Sequence, residues 1–387
     1  MPRRPSELPT LKLSVRATGR HPVFWRKQVR RPERPIAAGS LVFVEDKLGR
    51  PVGTGFYNSR SQRALRMIDR GRRPVGEAHV MELVERAITW REQALGLPER
   101  TNAYRLVHAE GDGVPGLILD RLGDYIVAQV FCKGIESLME GIGETLLARF
   151  PGSKLVLRVD AHARKLEGID LTETGAVDTA ELTEEGLHYG FVPGAGHKTG
   201  FFCDQRENRL AFAEFARGRK VLDLFCNSGG FGMHAARSGA KSVRAVDLDE
   251  DAVALARGNA ERNQSRVDFV HGDAFEVLRG EAKDHDCIVL DPPKWIAGDK
   301  DRDHGLGRYL DANRLAFAAL APGGRLLTCS CSGSLSEDHF LAVLREAAAR
   351  ANRDARLLRI TGAGPDHPVA LECPETRYLK AAWLEVR

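Results

Sequence analysis

The chain has 387 residues, 43% of them apolar and 28% charged, enough for two or three domains with ample core. Its net charge of +4 hides an asymmetry, because residues 1–75 hold 18 Lys/Arg against 5 Asp/Glu, or +13, which leaves −9 for the rest. No apolar run approaches a spanning length and no signal-peptide core follows Pro2-Arg3-Arg4, while seven scattered cysteines lack any C-x-x-C pair; a membrane protein, a disulfide scaffold and a zinc finger are therefore not expected, no metal is predicted, and reduced thiols in the cytoplasm are.

The first ten residues, rich in Pro and Arg, are expected to be mobile. Short runs of β-type composition follow at 11–15, 40–44 and 51–57, punctuated by Gly39, Gly49 and Gly53, with a hairpin turn at 46–49. They predict a small β-barrel over residues 1–75. Its Lys/Arg density is the electrostatic footprint of a phosphate-backbone partner, although a solvated charged face gives the same counts. Nucleic acid is the favoured partner, with Arg16, Arg20, Arg26, Lys27, Arg30 and Arg31 as the candidate RNA contacts.

Residues 76–190 read as an α+β middle domain. Val80, Leu83, Val84, Ala87, Ile88 and Leu95 have helical spacing from Glu77 to a stop at Gly96. Strand runs at 104–107, 125–130 and 154–158 alternate with one long helix pattern over 135–150, and 112–116 is a loop by composition.

From 191 to 387 strand and helix alternate, as a doubly wound α/β sheet requires. The apolar strand 221–225 turns through Cys226, Asn227, Ser228, Gly229 and Gly230 directly into a helix. Gly229 and Gly230 lack Cβ atoms, so the backbone can approach a ligand at the positive end of that helix. The spacing is not G-x-G-x-x-G, which disfavours a nicotinamide-linked oxidoreductase. Asp247 ends the strand 242–246 where an acidic side chain accepts from ribose hydroxyls. A third strand, 267–270, leads to Gly272-Asp273-Ala274, and a fourth, 287–290, runs into Asp291-Pro292-Pro293-Lys294-Trp295. Asp249 is placed to cap a helix through Asn263, and a further helix is predicted over 308–320. After a turn at Pro322-Gly323-Gly324, the strand 325–329 ends in Thr328-Cys329-Ser330-Cys331-Ser332.

This series of polar strand ends resembles the class I S-adenosylmethionine (SAM) methyltransferases, with a Rossmann-like sheet. Phe225 and Asn227 stand where that family commonly has glycine. The resemblance implies SAM as cofactor, held by Asp223, Asn227, Gly229, Asp247, Asp273, Ala274 and Asp291. Residues 1–75, with His21-Pro22-Val23-Phe24 and Gly55-Phe56-Tyr57-Asn58, resemble a PUA domain, an RNA-binding barrel. Asp-Pro-Pro resembles the loop that holds a target base, although Lys294 separates the prolines from the aromatic that amino-group methylases place directly after them. Thr-Cys-Ser resembles the nucleophile motif of RNA cytosine carbon-5 methyltransferases, which implies that Cys329 and Asp291 are catalytic; Cys331 is the rival nucleophile, and a small buried hydrophobe is the ordinary alternative for either thiol. The partner cysteine that those enzymes carry beside the Asp-Pro loop is missing.

The segment His197-Lys198-Thr199-Gly200-Phe201-Phe202-Cys203-Asp204-Gln205-Arg206, together with Asp-Pro-Pro-Lys and Arg377-Tyr378-Leu379-Lys380, is similar to the bacterial large-subunit ribosomal RNA cytosine-5 methyltransferases. In that family it helps close over SAM, which implies cofactor contacts for Phe202 and Gln205. The expected function is cytosine-5 methylation of large-subunit ribosomal RNA through a cysteine adduct. Methylation of a base amino nitrogen, or a non-catalytic SAM-binding protein of RNA binding or ribosome assembly, are the alternatives. The target nucleotide and the oligomeric state stay open, a homodimer being one option.

Overall fold

The computed structural model describes residues 7–71, 75–175, 177–195, 199–280 and 282–387. They form two compact units, one of residues 1–185, 192–203 and 365–376, the other of 186–191, 204–364 and 377–387. The first unit takes in the segment expected as the barrel and most of the one expected as the middle domain, up to residue 185. The barrel keeps a core of its own around Leu11, Val42, Val44 and Leu65, while its Phe56 and Ile68 pack with the middle segment, and residues 365–376 belong to this same unit.

In the first unit, β1 (Thr10–Lys12), β2 (Val23–Phe24), β3 (Ser40–Glu45), β4 (Pro51–Tyr57) and β5 (Leu65–Asp69) pair in the order β1-β3-β4-β5-β2. A Leu13–Val29 bridge and the bonds Ser14 N to Gln28 O (2.8 Å) and Arg30 N to Lys12 O (2.9 Å) close the sheet as a barrel. Gly53 permits the close approach of β4 to β5, because it takes φ +136° and a Cβ there would lie 2.1 Å from the Asp69 carbonyl. The chain is already engaged before residue 10: Leu8 is buried and Pro9 O accepts from Phe43 N at 3.0 Å. Of the segment expected to be mobile, residues 1–6 lie outside the described residues.

The middle segment opens with α1 (Glu77–Thr89), whose buried Val80, Leu83, Val84, Ala87 and Ile88 are the predicted stripe. Barrel residues Phe56 and Ile68 pack into the same cluster as that stripe. The strands β6 (Ala103–His108), β7 (Leu117–Leu122), β8 (Tyr125–Val130) and β9 (Lys154–Arg158) form a sheet in chain order. The single helix expected over 135–150 is two, α2 (Lys133–Glu136) and α3 (Met139–Arg149), because the chain turns at Ser137 and Leu138 between them. Then come α4 (Ala161–Glu167) and β10 (Ala180–Glu184). Residues 365–376 are tied to this unit by Arg91, whose guanidinium donates to Asp366 O (2.6 Å) and grips Asp112 through two N–H groups, and by Arg105 N, which donates to Asp366 Oδ2 at 3.0 Å.

The second unit holds β11 (Leu187–Phe191), α5 (Arg206–Phe215), β12 (Lys220–Leu224), α6 (Gly230–Arg237), β13 (Ser242–Asp247), α7 (Glu250–Arg262), β14 (Asp268–His271), α8 (Ala274–Gly280), β15 (Cys287–Leu290), α9 (Arg302–Ala319), β16 (Arg325–Ser330), α10 (Glu337–Arg350), β17 (Ala355–Thr361) and β18 (Lys380–Val386). Seven strands pair in the order β14-β13-β12-β15-β16-β18-β17, the first five parallel and β18 antiparallel to both of its neighbours. The doubly wound fold is as expected. Asp249 does cap α7, accepting from Asp251 N and Ala252 N. The helix expected from Arg308 starts six residues earlier, at Arg302, and β17 and β18 were not foreseen. Among the described residues no helix is long and apolar enough to cross a membrane.

Candidate active site

Strand order reverses between β12 and β15, where two parallel neighbours send their following chains to opposite faces of the sheet and leave a crevice at their carboxyl ends. The turn after β12 and the Asp-Pro-Pro loop after β15 both open there. The turn is built from three residues in the left-handed region, Phe225 (φ 64°), Asn227 (φ 46°) and Gly229 (φ 85°). Asn accepts that conformation readily, whereas Phe is an outlier held by its surroundings. The Phe225 ring meets Trp295 edge-on at 5.7 Å. Gly229 has no alternative, since a Cβ there would stand 2.6 Å from the Phe269 ring.

Asp223 lies inside β12 with no exposure, and its Oδ2 accepts from Gly232 N at 2.8 Å. Where the sequence predicts a strand end open to ribose or adenine, this carboxyl lies inside β12 and pins the first turn of α6. Oδ1 is buried without a hydrogen-bond partner. Burial pushes the Asp223 carboxyl up to about 7, against the Gly232 hydrogen bond. A carboxyl raised on folding contributes stability that is present below its unfolded value of 3.8 and is lost as pH rises through about 7. Asp223→Asn should therefore gain on the wild type in melting temperature between pH 4 and pH 8, the window corresponding to at most about 4 kcal/mol. A pH-independent difference between the two melts would show that Asp223 titrates as an ordinary carboxylate.

Asp247 is half-buried at the end of β13. Its Oδ2 accepts from Asn227 N (2.8 Å) and its Oδ1 from Asp249 N (3.0 Å), which fixes the carboxylate beside the turn and leaves each oxygen a further lone pair. Leu248, next in the chain, is 66% exposed. No motif singled it out, yet an apolar side chain bared beside a ribose-type acceptor offers a face for a flat ring. Asp273 caps α8 through Oδ1, accepting from Phe275 N at 2.6 Å, and Ala274 is buried behind it.

On the other side of the crevice Asp291 N donates to Leu224 O (3.3 Å), and Gln205 Nε2 donates to Asp291 Oδ1 (2.9 Å). A relay orients Gln205: Asn208 Nδ2 donates to its Oε1 (2.6 Å), Thr361 Oγ1 to Asn208 Oδ1 (2.7 Å), and Trp383 Nε1 to Thr361 Oγ1 (2.8 Å). β17 and β18 supply this support, so it was not visible in sequence. Phe202 belongs to the first unit, whereas Gln205 belongs to the second; His197 and Lys198 lie outside the described residues.

The two candidate thiols differ sharply. Cys329 has 0% exposure, faces the cluster of Leu327, Phe212 and Trp383, and has its thiol pushed well above the usual range by burial and by Asp291, with a Gln205 hydrogen bond opposing. A thiol kept neutral and covered is poorly placed to attack, which counts against the expected nucleophile. Cys331, two residues on the same face, is half-buried just beyond β16, with Sγ 3.9 Å from Pro292 O in the Asp-Pro-Pro loop. Its loop is pinned: Ser332 Oγ accepts from Ile296 N (3.1 Å) and bonds Tyr309 OH (3.1 Å), which also accepts from Ser330 Oγ (3.0 Å).

In the first unit, Arg16, Arg20, Arg26, Lys27, Arg30 and Arg31 are all exposed on the barrel. Trp25, 43% exposed, lies among them with the Arg63 guanidinium 5.8 Å from its ring centre. Trp25, Arg26, Lys27 and Gln62 line a shallow depression of about 290 Å³.

Residues 145–369 match the family model described as S-adenosylmethionine-dependent methyltransferase, and residues 12–70 match a PUA-like domain. The chain belongs to the S-adenosylmethionine-dependent methyltransferase family. A curated relative from Aeromonas hydrophila, named ribosomal RNA large subunit methyltransferase I, is 35% identical over 95% of this chain and 96% of its own length. The protein of the same name from Shewanella denitrificans is 36% identical over 89% of each. Among solved structures, a Streptococcus mutans protein described as a candidate SAM-dependent methyltransferase shares the fold over 98% of this chain and 100% of its own, with TM-score 0.80 and 18% identity.

SAM is the cofactor of this methyltransferase family, and the residues present suit it. Asp247 has acceptor capacity for two hydroxyls, Leu248 offers an apolar face, and Asp223 Oδ1 is buried without a hydrogen-bond partner in the strand that leads into the turn. On the expectation that Asp247 accepts from both ribose hydroxyls, Asp247→Ala should weaken SAM binding by about 1–3 kcal/mol. Calorimetry showing unchanged affinity would remove Asp247 from the cofactor site.

Proposed function

We propose that this methyltransferase acts on cytosine carbon 5 of large-subunit ribosomal RNA, through a covalent adduct with Cys331. The observation that carries this reading is half-buried Cys331, its sulfur beside the Pro292 carbonyl of the Asp-Pro-Pro loop, at the carboxyl end of the strand next to the one that presents Asp291. The ribosomal substrate follows from the names of relatives that align along almost the whole chain. Bound SAM supplies an electrophilic methyl group on a sulfonium.

Cytosine carbon 5 is a weak nucleophile until something adds to carbon 6. The Cys331 thiolate forms that sulfur–carbon bond, and the displaced ring electrons make carbon 5 nucleophilic. Asp291, held by Gln205, accepts from the amino edge of the ring and keeps the face of carbon 5 turned toward the methyl group. After methylation the carbon-5 proton leaves to a base, for which water suffices, and the carbon–sulfur bond breaks to return the thiolate. Phe202, Asn227, Gly229, Asp273 and Ala274 remain assigned to the cofactor in this reading.

The amino-nitrogen alternative needs an aromatic free to hold the flipped base. Trp295 is 9% exposed and packed between Phe225, Phe275 and Tyr309, with ring centres 5.7, 6.0 and 4.7 Å away. It is a core residue, which favours carbon 5. Nucleoside mass spectrometry of large-subunit RNA treated with the enzyme and SAM tests the choice: 5-methylcytidine is expected, and an N-methylated base would overturn it.

A further inference from the structure

Lys380 is a charged group to which the proposed mechanism gives no task. It starts β18 opposite Ser330, is 2% exposed, and donates through Nζ to Ser332 O (2.6 Å) and Tyr378 O (2.9 Å). Among the described residues no carboxylate pairs with it. An ammonium taken out of water and met only by two carbonyls leaves a positive charge uncompensated, a costly arrangement unless an anion is placed nearby. The charged neighbours do not meet that need. Arg377 and Glu337 pair with each other, and Lys294 is exposed on the Asp-Pro-Pro loop. Between Ser330, paired with Lys380 across the strands, and Ser332, whose carbonyl takes its ammonium, stands Cys331.

We propose that Lys380 is a positioning residue that holds Cys331 as a thiolate at neutral pH. The thiol proton passes to solvent, sulfur keeps the electron pair, and the fixed ammonium stabilises the resulting charge; no bond to nitrogen forms. The surroundings of Lys380 agree with this: burial brings it down to about 8, and Cys331 is the largest opposing influence. Tyr309 and Ile296 hold Ser332, the residue next to Cys331 whose carbonyl takes the ammonium. The proposal extends the assignment of Cys331 as nucleophile, but its decisive measurement does not depend on turnover.

The test is the pH dependence of iodoacetamide alkylation at Cys331, read by peptide mass spectrometry on the full chain, the other six cysteines being buried. The wild-type midpoint is expected roughly one unit or more below the free-thiol value of about 8.5. Lys380→Gln should raise it by about one unit and slow alkylation at pH 7 about tenfold, whereas Lys380→Arg should keep it low. A wild-type midpoint at or above the free-thiol value overturns the proposal even if no variant folds, as does an unchanged midpoint in a Lys380→Gln protein that still binds SAM. A low midpoint with full methyl transfer in Cys331→Ala would instead refute the nucleophile assignment and leave the ion pair standing.

Discussion

Cys331→Ala is expected to lower methyl transfer by about a thousandfold or more while SAM affinity persists, because carbon 5 cannot attack without prior addition at carbon 6. Cys329→Ala should retain most activity. It removes one sulfur from a covered site against Phe212 and Trp383, a change read as lost stability rather than lost turnover. RNA carrying 5-fluorocytosine should be trapped on the wild type and on Cys329→Ala, and released by Cys331→Ala, since fluorine blocks the proton loss that frees the enzyme. The reverse pattern would return the nucleophile to Cys329. Activity surviving in the double variant would discard covalent catalysis and revive amino-nitrogen methylation.

The second large effect belongs to the barrel. Reversing Arg16, Arg20, Arg30 and Arg31 to glutamate in the full chain should weaken RNA binding by roughly a hundredfold or more near physiological salt. The slope of log affinity against log salt should flatten by about 0.7–0.9 for each phosphate that the variant no longer neutralises. SAM affinity, read by calorimetry, should not move. Deleting residues 1–75 would be an unsound version of this experiment, because Phe56 and Ile68 share a core with Val80, Leu83 and Val84 and their removal would strip the middle segment of its packing. RNA affinity and salt slope unchanged in the charge-reversed protein would mean that the basic surface serves another purpose.

Much of this protein was legible in its sequence because the informative signals are local. A glycine pair after an apolar run, an acidic residue at the next strand end and the Asp-Pro-Pro loop each encode a turn whose backbone requirement is met within a few residues, and their chain order fixes the doubly wound topology. The Asp249 cap and the stripe of α1 were equally local. What the sequence left open depends on packing between distant segments. Cys329 and Cys331 are two residues apart with similar neighbours, and only the position of the end of β16, which buries one sulfur and releases the other beside Pro292, separates them. The return of residues 365–376 to the first unit depends on Arg91 and Arg105, more than 250 positions away in the chain. Asp223 resembled any other strand-end acid until its burial showed a carboxyl that braces the turn from beneath. Lys380 entered the sequence reading only as the end of Arg377-Tyr378-Leu379-Lys380, with no role of its own, and its meaning arises because antiparallel pairing of β16 with β18 sets its ammonium beside Ser332, where burial removes the water that would otherwise screen its charge.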